Sequence, residues 1–343
     1  MSENGTTTAL ANGRAGRAPT MEDVAREAGV SRALVSIVFR GKPGASEATR
    51  KRVHEAAQRI GYELNVAARM LRETETNVVG LMMTLKNPFH TDIAEKLIAA
   101  AKERSMEIII GAVGQDSAQD SAVTMMRGFR VAGAILLGTD VQASTVAQLS
   151  SDRPCVVVGE HDFGQGIDIV RSDDRLGIRI ALDYLLGKGH TEIAYLSSPH
   201  GQAMAERREA YLEWMAEHSM EADVVETEDT EAGGVAGAGR LLGRKNLPTA
   251  TLACNDRCAI GMASALTDAG VRIPEDISVV GFDDIEQARY GIKLTTIHQD
   301  TDLLAETAMK SLMTRLRDPD SDATSIIFPP TLVERATVGP PAR

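Results

Sequence analysis

Cys254 and Cys258 stand four residues apart around Asn255-Asp256, a spacing that could serve two metal ligands. No second Cys or His pair follows at ligand distance, so no metal is expected. The two thiols read instead as small hydrophobes, one closing a strand and one opening a helix. The seven histidines (His54, His90, His161, His190, His200, His218 and His298) form neither an HExxH motif nor a ligand pair, and no G-x-S-x-G nucleophile elbow occurs. Residues 233–239 are rich in glycine, but Leu242 stands where a dinucleotide loop needs its third glycine, and there is no P-loop lysine. That run reads as a glycine-rich helix entrance beside a cleft, and Met125-Met126 as core filler. Without a nucleophile–base pair, a metal cluster or a cofactor motif, catalysis is not expected. What remains is the chemistry of recognition, carried by hydroxyls, amides, guanidinium groups and carboxylates.

Charge shows where one kind of recognition lies. Residues 1–72 hold 12 Lys and Arg against 7 Asp and Glu, net +5, while the rest of the chain carries −16, giving −11 in all. A basic end on an acidic chain points to a polyanionic partner. Within it, Thr20-Met-Glu-Asp opens a helix with a capping hydroxyl and with acids in the first turn, where the helix dipole favours them. Val24, Ala25 and Ala28 then share one apolar face. Gly29-Val30-Ser31 breaks the helix: Gly29 takes a left-handed turn, Val30 plugs the core and Ser31 caps the next helix. That second helix is expected over residues 32–39 with Leu34, Val35 and Val38 inward. A loop leads to Ser46, which opens a third helix ending at Gly61-Tyr62. Two helices on a tight glycine turn, braced by a third, make a helix-turn-helix unit.

Residues 20–71, TMEDVAREAGVSRALVSIVFRGKPGASEATRKRVHEAAQRIGYELNVAARML, resemble the headpiece and hinge of the LacI/GalR family of bacterial transcription regulators. The likeness is specific because DVA, AGVS, VS, T-R-x-x-V, GY and an Asn before an Ala-rich stretch ending in Leu all fall at fixed offsets. It implies that the second helix enters the major groove of an operator, with Arg32, Ala33 and Ile37 facing base edges. Arg32 can fork two hydrogen bonds to a guanine. Ile37 stands where the family usually has Arg, so the half-site is expected to differ from the common one. Ser31, Ser36, Ser46, Thr49 and Tyr62 are expected on phosphates, where they set register, and Thr20 is counted with the DNA contacts. For Ser31 and Ser46 helix capping goes with that role. Residues 65–71 are too short for a stable helix alone. By the resemblance they fold when two subunits meet on DNA: Asn65 opens the hinge, Ala68 permits close approach and Leu71 wedges into the minor groove. Leu64 replaces a proline common before that Asn.

From Asn77 the texture changes. Val78-Val-Gly-Leu-Met-Met, Glu107-Ile-Ile-Ile, Ala134-Ile-Leu-Leu and Cys155-Val-Val-Val read as buried parallel strands, with helical stretches at 91–105 and 118–130 between them. A second series runs through Ile193-Ala-Tyr-Leu, Val224-Val, Ala250-Thr-Leu-Ala and Ile277-Ser-Val-Val. Two such series imply two doubly wound lobes with ligand at the strand C-termini. LGKGHTEIAYLSSP, LACNDRCAIG, IPEDISVVGFDDIE and LTTIHQD resemble the periplasmic-binding-protein-like core of the same family. The expected fold is thus an N-terminal all-α helix-turn-helix headpiece followed by an α/β two-lobed core of two doubly wound parallel sheets. The expected division is a disordered tail at 1–19, the headpiece at 20–64, a hinge at 65–76 and the core at 77–343. Lobe one takes about 77–171 and 303–330, and lobe two about 172–302.

Residue-by-residue matching to the family puts Arg208, Asn255, Asp283 and Gln299 at effector positions, with Phe89 as a pocket aromatic. A guanidinium fork and a carboxylate that accepts two bonds suit a sugar or another polyol. Asp256 is expected to cap the helix beginning at Arg257, and Asp284 its own turn. Two departures weigh against a sugar: no aromatic lies around Asp229-Thr230-Glu231, where sugar-binding relatives place one, and Glu160 stands where many carry Asp. A small acid or a nucleoside is then the alternative.

No apolar run is long enough to span a bilayer, and residues 1–19 lack the apolar core of a secretory signal, so a cytoplasmic, nucleoid-associated protein without a membrane partner is expected. A transport-type solute-binding protein would share the lobes but not the headpiece. The final residues, 336–343, carry no heptad repeat, which favours a homodimer over a tetramer. The expectation is a transcriptional repressor with no cofactor. It would hold a pseudo-palindromic double-stranded operator under the control of a small polar effector.

Overall fold

A computed structural model describes residues 19–39, 41–62, 76–113, 118–138, 143–160 and 166–342. The chain divides into two units, Met1–Thr74 and Glu75–Arg343. The expected hinge residues Asn65, Ala68 and Leu71, and the tail at 1–18, lie outside the described residues.

In the first unit the helices are α1 (Met21–Ala28), α2 (Arg32–Phe39) and α3 (Glu47–Arg59). At the start of α1 the Thr20 backbone N–H and hydroxyl both donate to Asp23 Oδ2, at 2.9 and 2.6 Å. Gly29 ends the helix in the left-handed region, φ 65°, where a side chain would be strained. Val24, Val35, Val38, Val53 and Ala56 form the buried core, with Val30 packed against it. Leu34, expected inward, is only half-buried.

The second unit carries two six-stranded sheets. Strands β1 (Val78–Met83), β2 (Glu107–Ala112), β3 (Gly133–Leu137), β4 (Cys155–Val158), β5 (Asp168–Ser172) and β11 (Ser325–Phe328) form lobe one. Their order is β11-β5-β4-β3-β1-β2, and every pair is parallel. Strands β6 (Ile193–Ser197), β7 (Asp223–Glu226), β8 (Ala250–Ala253), β9 (Ser278–Asp283), β10 (Thr295–His298) and β12 (Thr331–Val333) form lobe two, in the order β12-β10-β9-β8-β6-β7. Here only β12 runs antiparallel, against β10. The continuous apolar runs of β1, β3, β4 and β8 are buried at every position, because helices cover both faces of a parallel sheet.

Those helices are α4 (Pro88–Glu103), α5 (Ala118–Gly128), α6 (Ala143–Ser150) and α12 (Thr301–Arg317) on lobe one. On lobe two they are α7 (Asp174–Gly187), α8 (Gln202–Glu217), α9 (Glu231–Leu242), α10 (Asp256–Asp268) and the short α11 (Glu286–Tyr290). The chain passes between lobes after β5, after β10 and again between β11 and β12. The last passage carries residues 331–342 back onto lobe two, where the Thr337 hydroxyl donates to Val279 O at 2.7 Å. In lobe one, Arg315 of α12 grips Asp168 of β5 through Nε (2.6 Å) and Nη2 (3.1 Å). Asp168 also accepts from the Thr324 N–H and hydroxyl, so one buried carboxylate fixes the returning segment before β11.

Candidate functional site

On the headpiece, Ser31, Arg32 and Ala33 are exposed and Ser36 and Ile37 half-exposed, opposite the buried Val35 and Val38. Positions 32, 33, 36 and 37 share one face of α2 by the i, i+4 rule, so the residues assigned to base edges lie side by side. Arg32 lies 4.0 Å from Glu22, its ion-pair partner among the described residues, with both side chains largely exposed. Ser31 and Ser46 are helix caps, accepting from the backbone N–H of Leu34 and Thr49, each at 3.2 Å. Ser46 and Thr49 also share a hydroxyl bond of 2.9 Å. The Tyr62 ring packs 5.5 Å from Phe39.

In the core the strands release their polar residues at their C-terminal ends, where facing lobes make a cleft. Phe89, Asn255, Asp283 and Gln299 all line it, together with His90, Ser172, Asp174, Met204 and Asp229. Arg208 does not. The arginine in the cleft is its neighbour Arg207, 4% exposed, and the sequence assignment is corrected accordingly. Residues 203, 207, 210, 211 and 214 are buried on α8, a helical period that places 207 inward and leaves 208 half-exposed.

Arg207 organises the cleft. Its Nε donates to Asp174 Oδ1 at 2.6 Å and its Nη1 to Cys254 O at 2.6 Å. Nη1 is 3.7 Å from Asp283 Oδ1, and the guanidinium lies 3.6 Å over the Phe282 ring. Gln299 Nε2 donates to Asp283 Oδ1 at 2.8 Å. Asp283 and Asp284 both adopt positive φ, 117° and 61°, backbone strain of the kind that collects at functional sites. Burial pushes the Asp283 carboxyl up to about 7; Arg207 and Gln299 pull it down, while Asp174 and Asp229 add to the rise.

Two capping expectations change. The cap of α10 is Asn255, whose Oδ1 accepts from Cys258 N–H at 2.9 Å while its Nδ2 donates to Asp229 O at 2.9 Å. Asp256 is fully buried and accepts instead from Ile285 N–H (2.9 Å) and the Thr296 hydroxyl (2.5 Å). Asp284 does not cap α11. It binds Arg335 Nη2 (2.5 Å) and His298 Nδ1 (3.1 Å), pinning the strained turn that presents Asp283. Cys254 and Cys258 are buried, one just past β8 and the other in α10.

Glu160 joins the two lobes. It follows β4 on lobe one, yet its Oε2 accepts from the backbone N–H of Gln202, at 3.2 Å, where α8 of lobe two begins without a side-chain cap. Burial, and then the charge of Asp174, raises its carboxyl from 4.5 to about 7. A raised acid stabilises the fold fully below its unfolded value and loses that contribution as pH rises through the folded one. The melting temperature of the ligand-free protein should therefore fall from pH 4.5 to about 7, with Asp283 acting in the same direction. Glu160→Gln should flatten that decline, and a profile parallel to that of the parent would contradict the assignment.

Two parallel-sheet lobes closing on a polar cleft, carried on one chain with a helix-turn-helix that exposes a reading face, define a ligand-controlled DNA-binding regulator. The chain belongs to the LacI family of bacterial regulatory proteins, whose family model matches residues 20–65; residues 182–338 match a periplasmic binding protein-like domain. It is 32% identical to the ribose operon repressor of Escherichia coli (strain K12), over 93% of this chain and 99% of that protein. A LacI transcriptional regulator from a Rhodococcus species superposes with a TM-score of 0.74 at 36% identity, covering 78% of this chain and 100% of that one. The lac repressor dimer bound to operator and the anti-inducer ONPF superposes at 0.80 with 25% identity, covering 94% and 100%. The protein is thus a sequence-specific DNA-binding transcriptional regulator under the control of a small effector, and its relatives are regulators rather than enzymes. Among the described residues no helix is long and apolar enough to cross a membrane.

Proposed function

We propose that this regulator is a repressor that grips a pseudo-palindromic operator as a homodimer, its hold set by a small polar metabolite in the interlobe cleft. A two-fold dimer presents two identical reading helices and so calls for two related half-sites. The lac repressor, similar over 94% of this chain, is a dimer on its operator. Arg32, Ala33 and Ile37 read bases in this scheme, while Thr20, Ser31, Ser36, Ser46, Thr49 and Tyr62 set register on the backbone. Asn65, Ala68 and Leu71 join the two functions. The protein works in the cytoplasm, on the nucleoid.

The observation that carries the reading is the convergence of Arg207, Asn255, Asp283 and Gln299 on one cleft at the strand ends. Carboxylate, amide and guanidinium together accept and donate to vicinal hydroxyls, which suits a sugar or polyol. The relative from Escherichia coli controls a ribose operon. Ligand and operator favour different arrangements of the same molecule, so each changes the affinity of the other, by roughly 5–150-fold for a coupling of about 1–3 kcal/mol.

The test is selection of duplexes from a randomised pool by the full chain, followed by titration of the winner. An inverted repeat should emerge, and its binding should weaken with salt as phosphate contacts are screened. Recovery of no symmetric sequence would end the reading. Arg32→Ala should cost about 1–3 kcal/mol on the selected operator and relax the preference at one base of each half-site. An unchanged base preference would remove Arg32 from the reading face.

A further inference from the structure

The lining of the cleft is unbalanced in charge. Asp174, Asp229 and Asp283 face the pocket that holds Arg207, its one guanidinium or ammonium group among the described residues; Lys86 and Arg289 line the adjoining pocket, which shares Phe89, Asp283 and Gln299. Arg207 is already committed, Nε to Asp174 and Nη1 to the Cys254 carbonyl. Asp229 is in a different position from the other two. Its backbone carbonyl is held by Asn255 Nδ2 at 2.9 Å, which fixes the residue, while its half-buried carboxylate makes no ion pair among the described residues. Beside the lining residue Gly159, Glu160 is 1% exposed and its Oε1 has no hydrogen-bond partner among the described residues. Four acids, two of them raised to about 7, and one guanidinium already bound through two of its three nitrogens make a site poor in positive charge. A ligand that brought a further negative charge would add to an excess of acids over cations.

Resting on the reading of this cleft as the effector site, we infer that the effector carries a protonated amine and that Asp229 is its partner. The chemical class is an amino sugar or another amino polyol: hydroxyls for Asp283, Asn255 and Gln299, and an ammonium for Asp229. The raised carboxyl of Asp283 fits this account, since an incoming cation would stabilise its ionised form. Asp229 is then the specificity-determining residue, and Arg207 the scaffold that holds the other two acids in place.

The experiment compares matched pairs on the full-length protein by calorimetry: D-glucosamine with D-glucose, D-galactosamine with D-galactose, and glucamine with sorbitol. At least one amine should bind about tenfold or more tightly than its hydroxyl counterpart, the margin of a charge-assisted hydrogen bond. Asp229→Asn, which keeps the shape and removes the charge, should abolish that preference, and its melting curve reports whether the variant is folded. The preference should also fade above the pKa of the amine. Equal or tighter binding of the neutral member, absence of binding by every amine at millimolar concentration, or a preference that survives in a folded Asp229→Asn protein would overturn the inference. Operator binding is followed on the same samples. A neutral sugar that shifts it would overturn the amine assignment and leave the regulatory reading standing; a bound amine that never shifts it would sink the regulatory reading.

Discussion

Arg207→Ala should destabilise the core by roughly 3–5 kcal/mol, the cost of leaving buried carboxylates without their cation, and should abolish any response to cleft ligands. Asp174 would lose its 2.6 Å partner, Asp283 its neighbouring charge and Cys254 O its donor, all at residues that are buried. The lost packing over Phe282 adds to this. Urea unfolding measures the effect. The matched control is Arg208→Ala, which alters a half-exposed side chain and should stay within about 0.5 kcal/mol. Equal effects from the two substitutions would return the cleft to the register first assigned from sequence.

The second large effect is expected at Gly234. A Cβ there would lie 2.0 Å from Cys258 O and 2.7 Å from Met262 N, both backbone atoms of α10; from the other side, one at Gly261 would lie 2.0 Å from Glu231 O of α9. The two helices touch backbone to backbone, and no rotamer can relieve the clash. Gly234→Ala should therefore cost about 3 kcal/mol or more. Because Asp229 precedes α9 and Asn255 caps α10, forcing the helices apart should also weaken ligand binding. Gly239 lies on the same helix with nothing within 4 Å of its Cβ, so Gly239→Ala should stabilise the protein by up to about 1 kcal/mol. Opposite signs for two alanines five residues apart, read by thermal or urea unfolding, distinguish close packing from helix propensity. Gly234 thus serves contact between α9 and α10, within a helix that begins two residues after the cleft residue Asp229.

Local signals explain what is plain in the sequence. Thr20 with Asp23, Gly29 and Ser46 mark helix ends through their own backbone chemistry, so the bounds of α1 and α2 follow from a few neighbouring residues. The strands with unbroken apolar runs are equally plain. Four others carry no such signal. Asp168–Ser172, Thr295–His298, Ser325–Phe328 and Thr331–Val333 mix one to three apolar residues with polar ones, and only pairing in the sheet makes them strands. Asn255, Asp283 and Gln299 are legible because each lies at or just past the end of a strand, and Phe89 because it follows Asn87-Pro88. Arg207 escapes a residue-by-residue match, although the period of its buried neighbours on α8 carries the information. Asp174 and Asp229 need the tertiary structure, since one is drawn in by an arginine 33 residues away and the other by the turn before α9. Glu160 cannot be placed from sequence, because its partner lies on the other lobe.

The central claim is that one chain couples occupancy of the cleft to the grip on operator, and reciprocity tests it most directly. Affinity for a cleft ligand is measured with the protein free and again with operator saturating; operator affinity is measured without the ligand and with it saturating. Linkage requires both pairs to change by the same factor, in the range of about 5–150. Matching factors well away from one are the predicted result. A ligand that binds the cleft with the same affinity whether or not operator is present would contradict the account.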